Sequence, residues 1–306
     1  MLTIEAYASN ELGECPLWCE RTRRLYWTDI EGSELLAIQE DGEEISRWPL
    51  PKRLGSFALT DEEHILLMGF ESCLGYYDLQ SNTFTLVSSS PGAPGTRIND
   101  GRCDRAGNFV FSTMHDGYPV EPIGKFHRLN SVSLETETLD LPAVAIPNSI
   151  CFSPDGGTMY YSDSMQGRIF CCDYPSLDNQ RIFTEVEGGG APDGSCIDAQ
   201  GYLWNAEWGG SRVVRYSPEG ETHSILSAPA IQTTCPVLGG SSLNTLFCRV
   251  ARKPLRLNLI QALKAEADEA LMLDPQCATD FSSNKEKDNI VFSFRRNCDV
   301  ESQPLP

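Results

Sequence analysis

Six short apolar runs recur along the chain at near-constant spacing: RLYWTD (24–29), HILLMGF (64–70), NFVFSTM (108–114), TMYYSDS (158–164), YLWNAEW (202–208) and NTLFCRV (244–250). Their centres, Tyr26, Leu66, Val110, Tyr160, Trp204 and Phe247, lie 40, 44, 50, 44 and 43 residues apart. A unit of this length cannot bury its apolar faces alone and must stack against copies of itself. Turn sequences such as Asp-Arg-Ala-Gly, Ser-Pro-Asp-Gly-Gly and Asp-Ala-Gln-Gly precede the runs, which are β-branched or aromatic in character; these are hairpin signals. A further strand-like run follows several of them, as in GSELLAI (32–38), CLGYYDL (73–79), GRIFCCD (167–173) and SRVVRYS (211–217). Multi-stranded units with little helix between them predict an all-β fold, a six-bladed β-propeller whose blades pack radially around a channel. A pair of smaller β-sandwiches is the alternative, but it leaves the period without a cause.

The repeat places the propeller over residues 1–274 and a C-terminal extension over 275–306. EALMLD (269–274) would supply the strand that finishes the last blade, and helical periodicity is confined to 257–273. NIVFSF (289–294) reads either as an added edge strand or as part of a poorly ordered tail.

Composition narrows the function classes. The net charge of −19 disfavours nucleic acid, whose binding depends on basic residues neutralising phosphates. No apolar run approaches the ~20 residues that span a bilayer. The segment MLTIEAYASNELGEC lacks the basic and apolar regions of a secretory leader, so a cytoplasmic protein without membrane contact is expected. The 12 cysteines include many inside strand-like runs, such as Cys151, Cys171, Cys172 and Cys248, where the residue acts as a small hydrophobe. No Cys-x-x-Cys pair occurs, so reduced thiols are expected rather than disulfides or a zinc site. No obligatory protein partner is evident.

Counting back eleven or twelve residues from each centre reaches the segment that enters the blade. The positions are Glu14, Leu54 (beside Gly55), Asn99, Asn148, Asp193 and Cys235. Equivalent positions of different blades converge at one end of a propeller's channel. Four oxygen-bearing side chains, Glu14, Asn99, Asn148 and Asp193, are therefore expected around one small space. Two carboxylates and up to two amide oxygens suit a hard divalent cation. Without one, clustered carboxylates raise each other's pKa.

The segments LGECPLW, TRINDGRCDRAGNFVFSTM, IPNSICFSPDGGTMYYSDS and APDGSCIDAQGYLWNAEWGGSRVVRY resemble the signature segments of the SMP-30/gluconolactonase/LRE family of propeller lactonases and regucalcins. The resemblance covers roughly residues 10–250. It implies that Glu14, Asn148 and Asp193 ligate one divalent metal ion (Ca, Zn, Mg, Mn or Fe(II)) and that Asp193 is also the general base. It implies that Arg97 and Asn99 contact a sugar lactone. His115, after the STM run, offers a hydrogen bond to a sugar hydroxyl, with a solvated loop histidine as the equal alternative. The implied activity is a metal-dependent hydrolase opening aldonolactones to aldonic acids through a metal-polarised carbonyl and an activated water. No Gly-x-Ser-x-Gly occurs, which disfavours a serine acyl-enzyme.

Two other readings stay open. One is a calcium-binding regulatory or interaction propeller without turnover. The other is a six-bladed hydrolase or synthase of the paraoxonase or strictosidine-synthase kind. Arg97 separates the first from a lactonase, because a guanidinium beside a pure cation site repels the cation, whereas a substrate site gains a donor fork.

Overall fold

Strand-forming runs with turn residues between them build antiparallel sheets, and the period fixes how many strands each sheet takes. A computed structural model describes residues 2–7, 10–42, 44–250 and 290–295. After β1 (Leu2–Tyr7), the chain forms one sheet from β2 (Gly13–Cys19), β3 (Arg24–Asp29), β4 (Glu34–Gln39) and β5 (Ile45–Pro49). The next is β6 (Leu54–Leu59), β7 (Ile65–Phe70), β8 (Cys73–Asp78) and β9 (Thr83–Ser89). The third is β10 (Thr96–Cys103), β11 (Phe109–His115), β12 (Lys125–Leu129) and β13 (Thr136–Thr138). The fourth is β14 (Pro147–Phe152), β15 (Thr158–Asp163), β16 (Arg168–Asp173) and β17 (Arg181–Glu185). The fifth is β18 (Ala191–Ile197), β19 (Leu203–Trp208), β20 (Arg212–Tyr216) and β21 (Thr222–Ser227). Each of these five sheets uses four consecutive strands in sequence order.

The remaining strands are β22 (Thr233–Gly239), β23 (Thr245–Val250) and β24 (Ile290–Arg295), and with β1 they form a sheet in the order β1-β24-β23-β22. The expectation of six equivalent blades within residues 1–274 is corrected accordingly. Five four-stranded sheets are built from consecutive strands, and the last is a composite of both ends of the chain. Counting strand runs alone could not show this, because the sheet of the sixth run is completed by β1, from the other end of the chain. NIVFSF stands as β24, paired on one side with β1 and on the other with β23. A composite of this kind ties segments from the two ends of the chain together in one sheet. The proposed helix at 257–273 and strand at 269–274 lie outside the described residues.

The six recurring runs are the second strands of the sheets: β3, β7, β11, β15, β19 and β23 match them within a residue at each end. Glycines in left-handed conformation, Gly107, Gly156 and Gly201 at φ +85°, +76° and +82°, turn three of the first hairpins. The first strand of each sheet packs against the first strand of the next, and β22 closes on β2. Thr234 Oγ1 reinforces that closure by donating to the Gly13 carbonyl at 2.8 Å.

Each sheet must bury both faces, so the apolar clusters lie between neighbouring sheets. Trp18, Leu25 and Trp27 pack with Val237 and Phe247 across the closure, where Trp18 and Phe247 stack at 5.8 Å. Phe126 and Val110 pack with Ile150, Met159 and Tyr161 between the third and fourth sheets. Full burial of such side chains stabilises by about 1.5–3 kcal/mol each. The fourth strands alternate between half-buried and exposed, as in β5 and β21, which places the sheet edges at the rim. All described cysteines are free thiols, and most are buried as small hydrophobes.

Candidate functional site

The ring residues lie at the start of the first strands, and a local irregularity sets how they are presented. In every sheet the ladder between first and second strand breaks at or beside the ring position. The breaks fall between Glu14 and Leu17, Leu54 and Ser56, Ile98 and Gly101, Asn148 and Cys151, Pro192 and Ser195, and Thr233 and Pro236. Such bulges bend the strand and re-aim its side chains. Cys15 and Ser149, which follow Glu14 and Asn148, take left-handed φ values of +48° and +62°. Non-glycine residues keep that conformation only where their surroundings over-determine it. At Ser149 those surroundings are visible: its hydroxyl donates to the Asp193 carbonyl and accepts from Asn205 Nδ2 at 3.1 Å.

A chain of hydrogen bonds joins three of the expected residues, Arg97, Asn99 and Asn148, and runs on to the residue before Asp193. Arg97 Nη1 donates to Asn99 Oδ1 at 2.9 Å and to the Ile98 carbonyl at 3.0 Å. Asn99 Nδ2 donates to Asn148 Oδ1 at 3.0 Å and to the Pro147 carbonyl at 2.9 Å. Asn148 Nδ2 donates to Ser164 Oγ at 3.0 Å, and Ser164 Oγ donates to the Pro192 carbonyl at 2.7 Å, one residue before Asp193. On the other side of the ring, the Cys235 thiol donates to Glu14 Oε2 at 3.2 Å. Gly194 permits this, because a Cβ there would stand 2.0 Å from Cys235 Sγ.

Buried acidic and basic side chains meet at the site, Asp100 and Asp193 with Arg97. Burial pushes the Glu14 carboxyl from 4.5 up to about 8; Asp100 adds to the rise, while the Cys235 bond and the Arg97 and Arg249 guanidiniums oppose it. Burial likewise holds Asp193 well above the usual carboxylate range, with Glu14 and Asp100 adding to the effect. Each carboxyl therefore stands where ionisation is disfavoured, and the charge of Glu14 disfavours it further at Asp193. Arg97 is buried, and desolvation lowers its pKa against the opposing field of Asp116.

His115 is placed differently. It ends β11 opposite Thr96, and its Nδ1 accepts from the Glu121 backbone amide at 3.1 Å, a bond within its own loop. Its neighbour Asp116 is the residue that faces Arg97, with Oδ1 3.6 Å from Nε.

Two of the oxygens counted as metal ligands already have partners: Asn148 Oδ1 takes the Asn99 amide and Glu14 Oε2 takes the Cys235 thiol. Among the described residues, no group of three or more His, Cys, Asp or Glu side chains is placed to hold a metal ion. The donor set does not fit the expected divalent ion on Glu14, Asn148 and Asp193, and that expectation is corrected. The expected metal-dependent hydrolysis through a metal-polarised carbonyl is corrected with it.

Sequence reasoning missed Asp100, Arg249 and Arg53. Asp100 is buried and accepts from the Ile150 and Gly101 amides at 3.0 and 2.8 Å, joining the third and fourth sheets. Arg249 is fully buried between the Trp27 ring, 4.7 Å from its centroid, and Asn10 Oδ1, 2.8 Å from Nη2. A charge inside the apolar run LFCRV was the available signal. Arg53 had none, because it lies outside any strand run.

A family model described as the SMP-30/Gluconolactonase/LRE-like region matches residues 12–252. The chain is 44% identical to an L-arabinolactonase from Azospirillum brasilense over 279 residues, covering 89% of this chain and 88% of that protein. It is 30% identical to a regucalcin from Xenopus laevis, covering 80% of this chain and 86% of that one. Among solved structures, a calcium-binding regucalcin from Agrobacterium tumefaciens superposes with a TM-score of 0.78 at 26% identity, covering 95% of this chain and 92% of that chain.

Proposed function

The chain belongs to the SMP-30/Gluconolactonase/LRE-like family, which includes sugar lactonases, and from that membership we propose that it is a carboxylic-ester hydrolase that opens a sugar lactone. The observation that carries the reading is the juxtaposition of a buried guanidinium, Arg97, with the paired carboxyls Glu14 and Asp193 at one end of the channel. A pure ion site gains nothing from that guanidinium. A lactone does, because a donor fork can meet its hydroxyls or the oxyanion that forms when water adds to the carbonyl.

In this reading Asp193 takes the proton of the attacking water as general base. Arg97 and Asn99 hold the lactone, and Asn148 fixes Asn99 through the 3.0 Å amide bond. His115 is a candidate for an outer hydroxyl of the sugar. The 44% identity to an L-arabinolactonase supports a five-carbon or six-carbon aldonolactone as the substrate class.

A second reading is favoured by the absence, among the described residues, of a grouped metal-ligand set, together with the likeness to regucalcins. It is a regulatory or interaction propeller that binds without turnover. Calcium binding is the property stated for the Agrobacterium tumefaciens protein.

Proton release from a panel of aldono-1,4- and 1,5-lactones separates the two. The lactonase reading expects hydrolysis of one or two members and loss of that hydrolysis in Arg97→Ala at unchanged melting temperature. No hydrolysis of any lactone by the native chain would leave the binding propeller standing.

A further inference from the structure

We infer that Arg53 is a positioning residue: by holding both oxygens of Asp116 it keeps that carboxylate from closing on Arg97 and leaves the Arg97 guanidinium free for the ligand. The inference rests on the lactone-binding role proposed above for Arg97.

Three segments meet at this point. Arg53 precedes β6 in the second sheet, the sheet whose ring position is the apolar Leu54. Asp116 follows β11 in the third sheet, and its amide is tied to the Gly95 carbonyl at 2.8 Å. Arg97 stands in β10 of the same sheet. Arg53 Nη1 donates to Asp116 Oδ1 at 3.1 Å, and Nη2 donates to Oδ2, so the guanidinium and carboxylate meet fork to fork. Arg53 Nε is held in turn by Glu71, and Glu31 lies 3.9 Å from Nη1.

Fork-to-fork pairs of this kind are the strong form of a charge-assisted bond. Asp116 is therefore oriented away from a second such pair. Its Oδ1 stands 3.6 Å from Arg97 Nε, near enough to attract and too far for a hydrogen bond. Arg97 spends Nη1 on Ile98 and Asn99, and among the described residues Nη2 has no protein acceptor. Without Arg53, the nearest cation to Asp116 is Arg97. Desolvated on a buried side chain, that cation would draw the carboxylate in and turn its donor fork from the channel to the loop.

The test uses Arg53→Gln, Asp116→Asn and the double variant in the full chain, with Arg53→Lys as a conservative control. Steady-state kinetics on the lactone hydrolysed by the native chain should show KM raised about tenfold in R53Q with kcat changed less than threefold, the pattern of lost ground-state binding. R53K should recover only part of the loss, because an ammonium cannot hold both carboxylate oxygens. Adding D116N to R53Q should restore KM to within about threefold of D116N alone, since the competing carboxylate is then gone. A merely structural Arg53 would not be rescued by removing its own partner. A crystal structure of R53Q supplies a readout independent of turnover: Asp116 Oδ1 should move from 3.6 Å to hydrogen-bond distance of Arg97 Nε. The inference is overturned if Asp116 in R53Q stays put or turns to solvent, or if D116N fails to rescue a normally melting R53Q. If the native chain hydrolyses no lactone, the proposed function fails, while the crystallographic result still decides the clamp.

Discussion

Replacing Glu14 by glutamine should stabilise this protein, increasingly so as pH rises from about 5 to 9. The folded state holds the Glu14 carboxyl at about 8 against an ordinary 4.5, chiefly because burial opposes its ionisation. The sign follows from proton counting. Between these two values the unfolded chain has released the proton and the folded chain still holds it, so stability falls as pH rises through that window. Above it both states are ionised, and the loss is complete. A shift of this size in isolation corresponds to on the order of 5 kcal/mol. Glu14 is only partly enclosed and shares the penalty with Asp193, so about 2 kcal/mol falls to Glu14 alone. The substituted side chain keeps the shape, and its amide oxygen still accepts the Cys235 thiol, but it carries no charge at any pH.

The assay is thermal unfolding of native and E14Q protein from pH 5 to 9 in buffer containing a chelator. For a chain of this length about 2 kcal/mol corresponds to roughly 4 °C. E14Q should melt about 4 °C higher than the native protein at pH 9 and within about 1 °C of it at pH 5. Equal melting at pH 9, or a gap that does not change with pH, would refute the claim that the buried carboxyl carries an ionisation penalty.

Other parts of the molecule give further expectations. His127 lies buried between Thr113 and Thr138, each at 3.1 Å, and burial depresses its pKa to about 4. Its stabilisation is lost as pH falls from about 6.5 toward 4, by on the order of 2 kcal/mol; ring carbon shifts should show a neutral imidazole at pH 5, and a protonated ring there would contradict this. Phe126 is fully buried with its ring 5.0 Å from Tyr161, so Phe126→Ala should lower stability by about 3–5 kcal/mol in urea unfolding. A chain ending at Asp288 lacks β24, which lies between β1 and β23. It should lose its single cooperative melt, and a native-like melt would show that the composite sheet is dispensable.

Parts of this architecture were legible in the sequence because they depend on local pattern. The second strands appear as aromatic and β-branched runs bounded by turns, and RLYWTD became β3 residue for residue. Their spacing was enough to gather Glu14, Asn99, Asn148 and Asp193 at one end of a channel, since repeated units occupy equivalent places. His115 was less legible: its position after β11 was clear, but its ring turned into its own loop and Asp116 took the place facing Arg97. Arg53 carried no pattern at all, because its part depends on a carboxylate 63 residues away.

The sequence by itself therefore determined the all-β character, the period and the positions of the second strands, all of which follow from strand propensity, turn chemistry and repetition. Only the tertiary structure decided that the last sheet joins Leu2–Tyr7 to Ile290–Arg295, because strand pairing between distant segments leaves no local signature. It alone decided that the Asn148 oxygen faces an amide and the Glu14 oxygen a thiol. The identity of each oxygen's partner depends on side chains from other sheets, which approach one another only once the ring has closed and the first strands have bulged.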